Sequence, residues 1–343
     1  MLRHYRLLLL VLVLPAMLLA AACGGGTSSA DKTATAVSAQ PATTVSAKVP
    51  AGATSSAAPE TTTYPLTVTD MLKKSVTIQA EPKSVAAISP TTVEFVYAVG
   101  GTSKTRPTSA KYPPEAASAT DIGSSYQPNL ELIAAAKPDL IVADAVLQPQ
   151  LAQSLAGLNA PVLYVGASNF ADVLTGLDLV GKVLNKPAQA ASLASNLQSK
   201  LAADQAKAGA TKPKVLVLNG APNDFYAAKP ESYVGDLVQQ LGGDNVAKNQ
   251  PDVGQFPGYT KMALEAILAS SPDVILAITE GPPGGKTITD TLSADPAWSA
   301  IPAVKNRRVS EISADLFLQA PGPRVGDALD QLAKMLYPTG TSP

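Results

Sequence analysis

The pattern of apolar and polar positions divides the 343-residue chain into unlike stretches. Residues 7–19, LLLLVLVLPAMLL, are apolar, follow Arg3 and Arg6, and run into the small residues AAAC. That order is the order of an export signal, and thirteen apolar positions are few for a membrane span. Residues 24–63 lose all apolar periodicity: ten Ala, nine Thr and six Ser, with no aromatic residue, Leu or Ile. Such a stretch cannot bury enough apolar area to offset the entropy of ordering, and is expected to act as a flexible tether.

Periodicity returns at residue 64. YPLTVTDMLKKSVTIQ alternates on both sides of a Lys-rich turn and predicts a β-hairpin. SVAAIS predicts a short buried strand, and PTTVEFVYAVGG a helix stopped by Gly100 and Gly101. Thereafter NLELIAAA, DLIVA, PQLAQSLAGL and PVLYV alternate helix-sized and strand-sized segments, the signature of a parallel sheet covered on both faces. Residues 169–211 switch to helical period, interrupted at Asn185-Lys186-Pro187 because Pro disfavours helix in the residue before it. The βα pattern then resumes with KVLVLNG, DVILAIT and RRVSEIS and closes on the helix VGDALDQLAKML. The expected fold class is α/β: two lobes with parallel sheets, joined by a helical spine, with a cleft between them. The expected boundaries are a signal at 1–22, Cys23 and tether at 23–63, an N-terminal lobe at 64–168, the spine at 169–211 and a C-terminal lobe at 212–338.

One frame occurs twice. LELIAAAKPDLIVA (130–143) and LEAILASSPDVILA (264–277) share L-E-x-I-x-A-x-x-P-D-x-I-x-A. In each copy Pro-Asp ends a helix and begins a strand, and Glu131 or Glu265 lies in the first helical turn. A carboxylate there gains roughly 0.3–1 kcal/mol from the helix dipole, which accounts for either Glu alone but not for the doubling. Thr91-x-x-Glu94 reads as a capping box and gives Glu94 a structural role.

Composition narrows the chemistry. The single Cys is Cys23 and the single His is His4. The body therefore has no disulfide, no Cys nucleophile, no Cys/His metal cluster and no His general base. A net charge of −1, spread along the chain, argues against a nucleic-acid partner. An enzyme would have to work with carboxylates alone, such as Asp144 or Glu280, and no spacing singles out a pair. GPPGGKT (281–287) is one residue short of a phosphate-binding loop, and its prolines remove N–H groups that such a loop needs. No catalytic residue, resident metal or cofactor is expected.

LLAAAC resembles the lipobox of bacterial lipoproteins, although Ala20 stands where that motif prefers Leu. The resemblance implies lipidation of Cys23 and an extracytoplasmic body anchored to the cell membrane. From 64 to 338, the ordered segments VTD, PKSVAAISPTTVEFVYAVGG, YPPEA, IGSSYQPNLELIAAAKPDLIVA, LGGDNVA, ALEAILASSPDVILA, DPAWSAIPAVKNRRV and GPR resemble the metal-chelate branch of bacterial solute-binding proteins. That branch serves importers of ferric siderophores, haem or cobalamin. The resemblance implies two Rossmann-like lobes joined by one long helix, and a monomer that delivers a ferric siderophore or cobalamin to an ABC permease dimer. Haem is an alternative, and a carboxylate-only hydrolase is the alternative from another class. It also implies that Glu131 and Glu265 dock into Arg pockets on the two permease subunits.

Ligands of open α/β lobes sit beyond the carboxyl ends of strands, so the loops at 108–114, 123–128, 144–146, 221–233, 256–260, 279–285 and 313–324 are candidates. Tyr126, Tyr226 and Tyr259 fall where the family often sets an aromatic against its ligand, and Ser109, Lys111, Asp315 and Arg324 complete the expected set. Arg324 opens a helix, where the dipole disfavours a cation, and calls for an acidic partner such as Asp315 or an anionic ligand group. A body without His disfavours a bare Zn²⁺ or Mn²⁺ ligand. The few loop cations, Lys111, Lys229, Arg324 and Arg106, disfavour a triply anionic chelate. A neutral or weakly charged chelate is expected, such as a ferric hydroxamate or cobalamin, while haem with a Tyr axial ligand is the alternative. The spine predicts a small opening motion.

Overall fold

The computed structural model describes residues 61–208, 212–254, 257–282 and 284–338. The export signal, Cys23 and the tether up to residue 60 lie outside the described residues. Strands β1 (Leu66–Thr69) and β2 (Ser75–Ile78) form the expected hairpin, with Leu66 opposite Ile78.

The N-terminal lobe continues as β3 (Val85–Ala87), α1 (Pro90–Ala98), β4 (Thr105–Arg106), β5 (Thr120–Asp121), α2 (Leu130–Ala135), β6 (Leu140–Asp144), α3 (Ala152–Ala156) and β7 (Val162–Val165). Its sheet has the order β5-β4-β3-β6-β7 with every pair parallel. β6 is buried along its whole length, which is why its sequence is an unbroken apolar run up to Asp144.

The start of α1 corrects the capping assignment. Ser89 is the N-cap: its Oγ accepts from the Thr92 N–H at 3.0 Å, and Thr92 Oγ1 accepts from the Ser89 N–H at 3.0 Å. Pro90 at the first helical position, with no N–H to satisfy, favours this register over one starting at Thr91. Glu94 is therefore released from capping and lies buried in the interior.

Two helices follow, α4 (Phe170–Val183) and α5 (Pro187–Gln205). The break expected at Asn185-Lys186-Pro187 divides the one long helix that the resemblance implied: Asn185 takes φ 56° and Pro187 opens α5. α4 and α5 pack on each other, and at Gly181 any Cβ would stand 2.3 Å from the Ala190 Cβ, so only Gly allows the approach.

The C-terminal lobe comprises β8 (Lys214–Ala221), β9 (Asp224–Ala228), α6 (Tyr233–Gln240), β10 (Asp244–Asn245), β11 (Tyr259–Thr260), α7 (Leu264–Ser270), β12 (Val274–Thr279), α8 (Ile288–Ala294), α9 (Pro302–Lys305), β13 (Val309–Glu311) and α10 (Val325–Leu336). Its main path is β11-β9-β8-β12-β13, with β10 beside β8. β8, β12 and β13 are parallel, as expected. β9, however, pairs antiparallel with both β8 and β11, so this sheet is mixed. A turn as tight as Pro222-Asn223 can only return the chain antiparallel. Residues 224–228, expected in a loop, thus form a strand.

The largest apolar cluster runs from Val85 and Val142 through Val173, Leu177 and Val180 of α4 to Val217, Val234 and Leu276. The lobes share one core through the spine. Smaller clusters around Ile133 and Ile267 cover the outer faces of the two sheets.

The doubled frame now has a structural account. Asp139 accepts from the N–H groups of Lys83 (2.7 Å) and Ser84 (2.9 Å), and Asp273 from that of Lys214 (2.8 Å). Each Asp ties the end of its helix to the start of the neighbouring central strand. Lys137 and Ser271, at matching positions, turn the chain through left-handed φ values of 47° and 48°. Ile133 and Ile267 are buried. Glu131 and Glu265 are exposed, and among the described residues neither joins an ion pair.

Candidate ligand-binding cleft

A cavity of about 590 Å³ opens between the lobes, within the range of small-molecule sites. The N-terminal lobe lines it with Pro90, Ser109, Ser125, Tyr126 and Leu147; the C-terminal lobe adds Asn219, Gly220, Tyr226, Tyr259, Glu280, Leu318 and Gln319. Pro90 follows β3, Leu147 follows β6, Glu280 follows β12, and Asn219 and Gly220 end β8. These are the carboxyl ends of strands, where a doubly wound sheet leaves backbone groups unpaired.

On the N-terminal side the loops are riveted by buried Gln148. Its Nε2 donates to the Ser125 carbonyl (2.6 Å) and the Ile88 carbonyl (2.9 Å), and its Oε1 accepts from the Asp144 N–H at 2.9 Å. Asp144 accepts in turn from the N–H groups of Val146 (2.8 Å) and Leu147 (3.0 Å) and from Ser89 Oγ (3.1 Å). Burial pushes its carboxyl above the usual range. It shapes the loop that carries Leu147 and is not among the cavity-lining residues.

On the C-terminal side the antiparallel strands supply the aromatics. Tyr226 of β9 faces Asn219 in register, and Lys261 Nζ lies 3.8 Å from its ring centroid. Lys261 is itself held by Asp224 and by the Phe225 carbonyl. Burial, reinforced by the charge of Glu280, pushes the Tyr259 phenol up to about 12, so it stays a protonated donor near neutrality. Asn219 Oδ1 is buried and accepts no hydrogen bond. Leu318 and Gln319 reach the cavity from a single wide π-helical turn, Asp315–Gln319.

Of the residues expected from sequence, Ser109, Tyr126, Tyr226 and Tyr259 converge on this cavity. Lys111 does not line it; its Nζ donates to the Thr108 carbonyl at 2.9 Å. Arg324 and Asp315 do not line it either. Arg324 belongs to a separate hollow of about 410 Å³ with Glu94 and Tyr112. There Nε donates to Glu94 at 3.0 Å, Nη2 donates to Asp315 at 2.6 Å, and the guanidinium lies 4.5 Å from the Tyr112 ring centroid. The acidic partner required by Arg324 is thus Asp315 together with Glu94 of the other lobe. Burial drives Glu94 up to about 7 against the pull of Arg324.

The remaining loop cations are engaged. Lys229 pairs with Asp252 at 2.5 Å, and Arg106 pairs with Asp121 at 3.1 Å. Glu280 is the one charged residue lining the cavity among the described residues. The GPPGGKT segment leads to α8, whose first turn is filled from within. Thr287 and Asp290 cap it, and Glu311 accepts from the Thr289 N–H at 3.0 Å, where an anion would otherwise sit.

Sequence reasoning did not single out Ser125, Leu147, Asn219 or Leu318 as contacts. Ser125 and Leu318 lay unnamed within the candidate loops, while Leu147, just after β6, and Asn219, near the end of β8, could have been found from their places at strand ends.

Two α/β lobes, a shared spine and a cleft walled by strand ends define a bilobal solute-binding protein. The chain matches the family model described as periplasmic binding protein over residues 85–316, and it belongs to that family. Its members are solute carriers rather than enzymes. The chain is 27% identical over 294 residues to the ABC transporter substrate-binding lipoprotein YvrC of Bacillus subtilis, covering 83% of this chain and 89% of that one. It is 27% identical over 221 residues to the high-affinity heme uptake system protein IsdE of Staphylococcus aureus, covering 63% of this chain and 74% of that one. Among solved structures, an ABC transporter substrate-binding protein from Listeria monocytogenes EGD-e superposes with a TM-score of 0.66 at 27% identity, over 75% of this chain and 99% of that one.

Proposed function

We propose that this protein captures a metal chelate, a ferric siderophore or cobalamin, outside the cytoplasm and delivers it to an ABC importer. The observation that carries the reading is the lining of the cleft: three tyrosines, serine hydroxyls, amides and apolar side chains, with Glu280 as the one charged residue among the described residues. A triply anionic chelate would meet a carboxylate and no cation there, so a neutral or weakly charged chelate such as a ferric hydroxamate or cobalamin fits better. Delivery to an ABC importer is supported by the names of the Bacillus and Listeria relatives. Haem is the second reading, supported by the Staphylococcus relative.

Glu131 and Glu265 are the proposed docking residues. A helix between parallel strands runs against them, so the first turns of α2 and α7 lie at the cleft end of each sheet. Each lobe places a cavity-lining tyrosine just before its exposed acid, Tyr126 before Glu131 and Tyr259 before Glu265. Ligand contact and permease contact are thereby carried on one short segment per lobe. Two matched acids suit a twofold permease, and carboxylate–Arg pairs supply orientation and encounter rate. Lipidation at Cys23 would tether the monomeric body to the outer face of the membrane.

The test is titration of the full chain with a ferric hydroxamate, a ferric catecholate, cobalamin and haemin, following intrinsic fluorescence and visible absorbance. Saturable binding of a hydroxamate or cobalamin without product is expected. Binding of haemin alone selects the second reading, and binding of none, or turnover of any, overturns the proposal.

A further inference from the structure

The polar groups of the cleft are unevenly distributed. Ser109, Ser125 and Tyr126 on the N-terminal side can donate or accept, as can Tyr226, Tyr259 and the amides of Asn219 and Gln319 on the C-terminal side, but among the described residues only the C-terminal side adds a carboxylate, Glu280. Asn219 is 9% exposed, and its Oδ1 accepts nothing from the protein. A buried acceptor left unpaired costs free energy that a ligand donor would recover. Among the described residues no cation forms an ion pair with Glu280. The nearest candidates by sequence are engaged elsewhere: Lys261 with Asp224 and the face of Tyr226, Lys229 with Asp252, and Arg324 with Glu94 and Asp315. Tyr259, next to this pole, donates a proton and adds no positive charge.

We infer that the C-terminal wall recognises a donor-bearing end of the ligand: the cargo presents an ammonium or amide N–H group to Glu280 and Asn219, and Glu280 sets the preference for cationic over neutral and anionic chelates. This rests on the chelate-capture reading and adds to it the charge class of the cargo. A charge-assisted hydrogen bond to Glu280 favours the ammonium form, and the unpaired Asn219 Oδ1 favours any N–H donor over an ether or ester oxygen.

The experiment compares two probes of one shape on the full chain: the linear tris-hydroxamate chelate ferrioxamine B, which carries a terminal ammonium, and its N-acetyl derivative, which is neutral. Calorimetric titration is expected to show about tenfold tighter binding of the ammonium form, with the difference shrinking as salt is raised. Glu280→Gln is expected to abolish the discrimination, the ammonium probe falling to the affinity of the acetylated one. Equal binding of the two probes, or a preference that survives Glu280→Gln, overturns this inference and leaves chelate capture standing. Binding of neither probe, with cobalamin or haemin bound in the same assay, also overturns it. Binding of no chelate of any kind removes both readings.

Discussion

The two lobes share a helix–turn–strand unit and differ in the sheet behind it. In the N-terminal lobe every strand of the five-stranded sheet is parallel, and the cleft receives short segments bearing serine, proline, leucine and one exposed tyrosine. In the C-terminal lobe an antiparallel ribbon, β8 and β9 with β11 beside them, brings Asn219, Tyr226 and Tyr259 to the cleft. The features that match between lobes, a left-handed turn, an Asp clamp, a buried Ile and an exposed Glu, are those of the repeated frame. The features that differ are those that touch the cavity. On the proposed function, the duplicated geometry would meet a symmetrical partner and the unlike walls a one-sided cargo.

That contrast can be broken most forcefully at the acids. Exchanging both Glu131 and Glu265 for Arg is expected to leave chelate affinity unchanged and to lower cellular uptake by about a hundredfold or more, with each single exchange giving a smaller and similar loss. Unchanged uptake in the double variant would sink the docking proposal, and strongly unequal single losses would show that one lobe dominates the handover.

The next largest effect concerns the charge cluster that crosses between lobes. Arg324→Met strands Glu94, a buried carboxylate, and is expected to cost about 3–5 kcal/mol, read as a lowered Tm near neutral pH. Adding Glu94→Leu should restore most of that loss, because two apolar side chains replace a buried pair at little cost. The same cluster sets a pH dependence. Glu94 holds its proton up to about 7 in the folded chain and releases it near 4.5 when unfolded, so the folded state binds more protons between these values. Stability is therefore expected to fall as pH rises from about 4.5 to about 7. Asp144, also raised by burial, adds to the same slope, so Glu94→Gln should flatten it without removing it. A slope identical to that of the parent chain would count against the assignment.

The smallest effect sharpens the likeness between lobes. Asp139 accepts two backbone N–H groups and Asp273 one. Asp139→Ala is expected to cost about 2 kcal/mol and Asp273→Ala about 1 kcal/mol in denaturant unfolding. A reversed order would show that the clamps are not equivalent.

The sequence carried the repeat, the alternation of elements and the break at Pro187, because each is local and periodic. Four of the seven expected cleft residues line the cavity: Ser109 and Tyr126 follow strands, whereas Tyr226 and Tyr259 lie within strands and were reached through the resemblance. The ribbon was not legible. Pro222-Asn223 lacks the glycine that marks a two-residue hairpin turn, and Asp224 to Ala228 do not alternate cleanly. Glu94 was misread because a four-residue pattern fits a cap, although Ser89 ahead of Pro90 is the better signal. Its true partner, Arg324, lies 230 residues away, and no local pattern reports a contact of that span.

β8 is the central strand of its sheet, paired with β12, and Leu216 and Leu218 pack with Ile267 of α7, while β9 lies one strand further out and brings Tyr226 to the cleft. On the proposed function, exchanging Asn219 or Tyr226 would change the cargo while leaving Glu131 and Glu265 as they are, so lineages sharing one importer would diversify their nutrition at a few positions on one wall of the cleft.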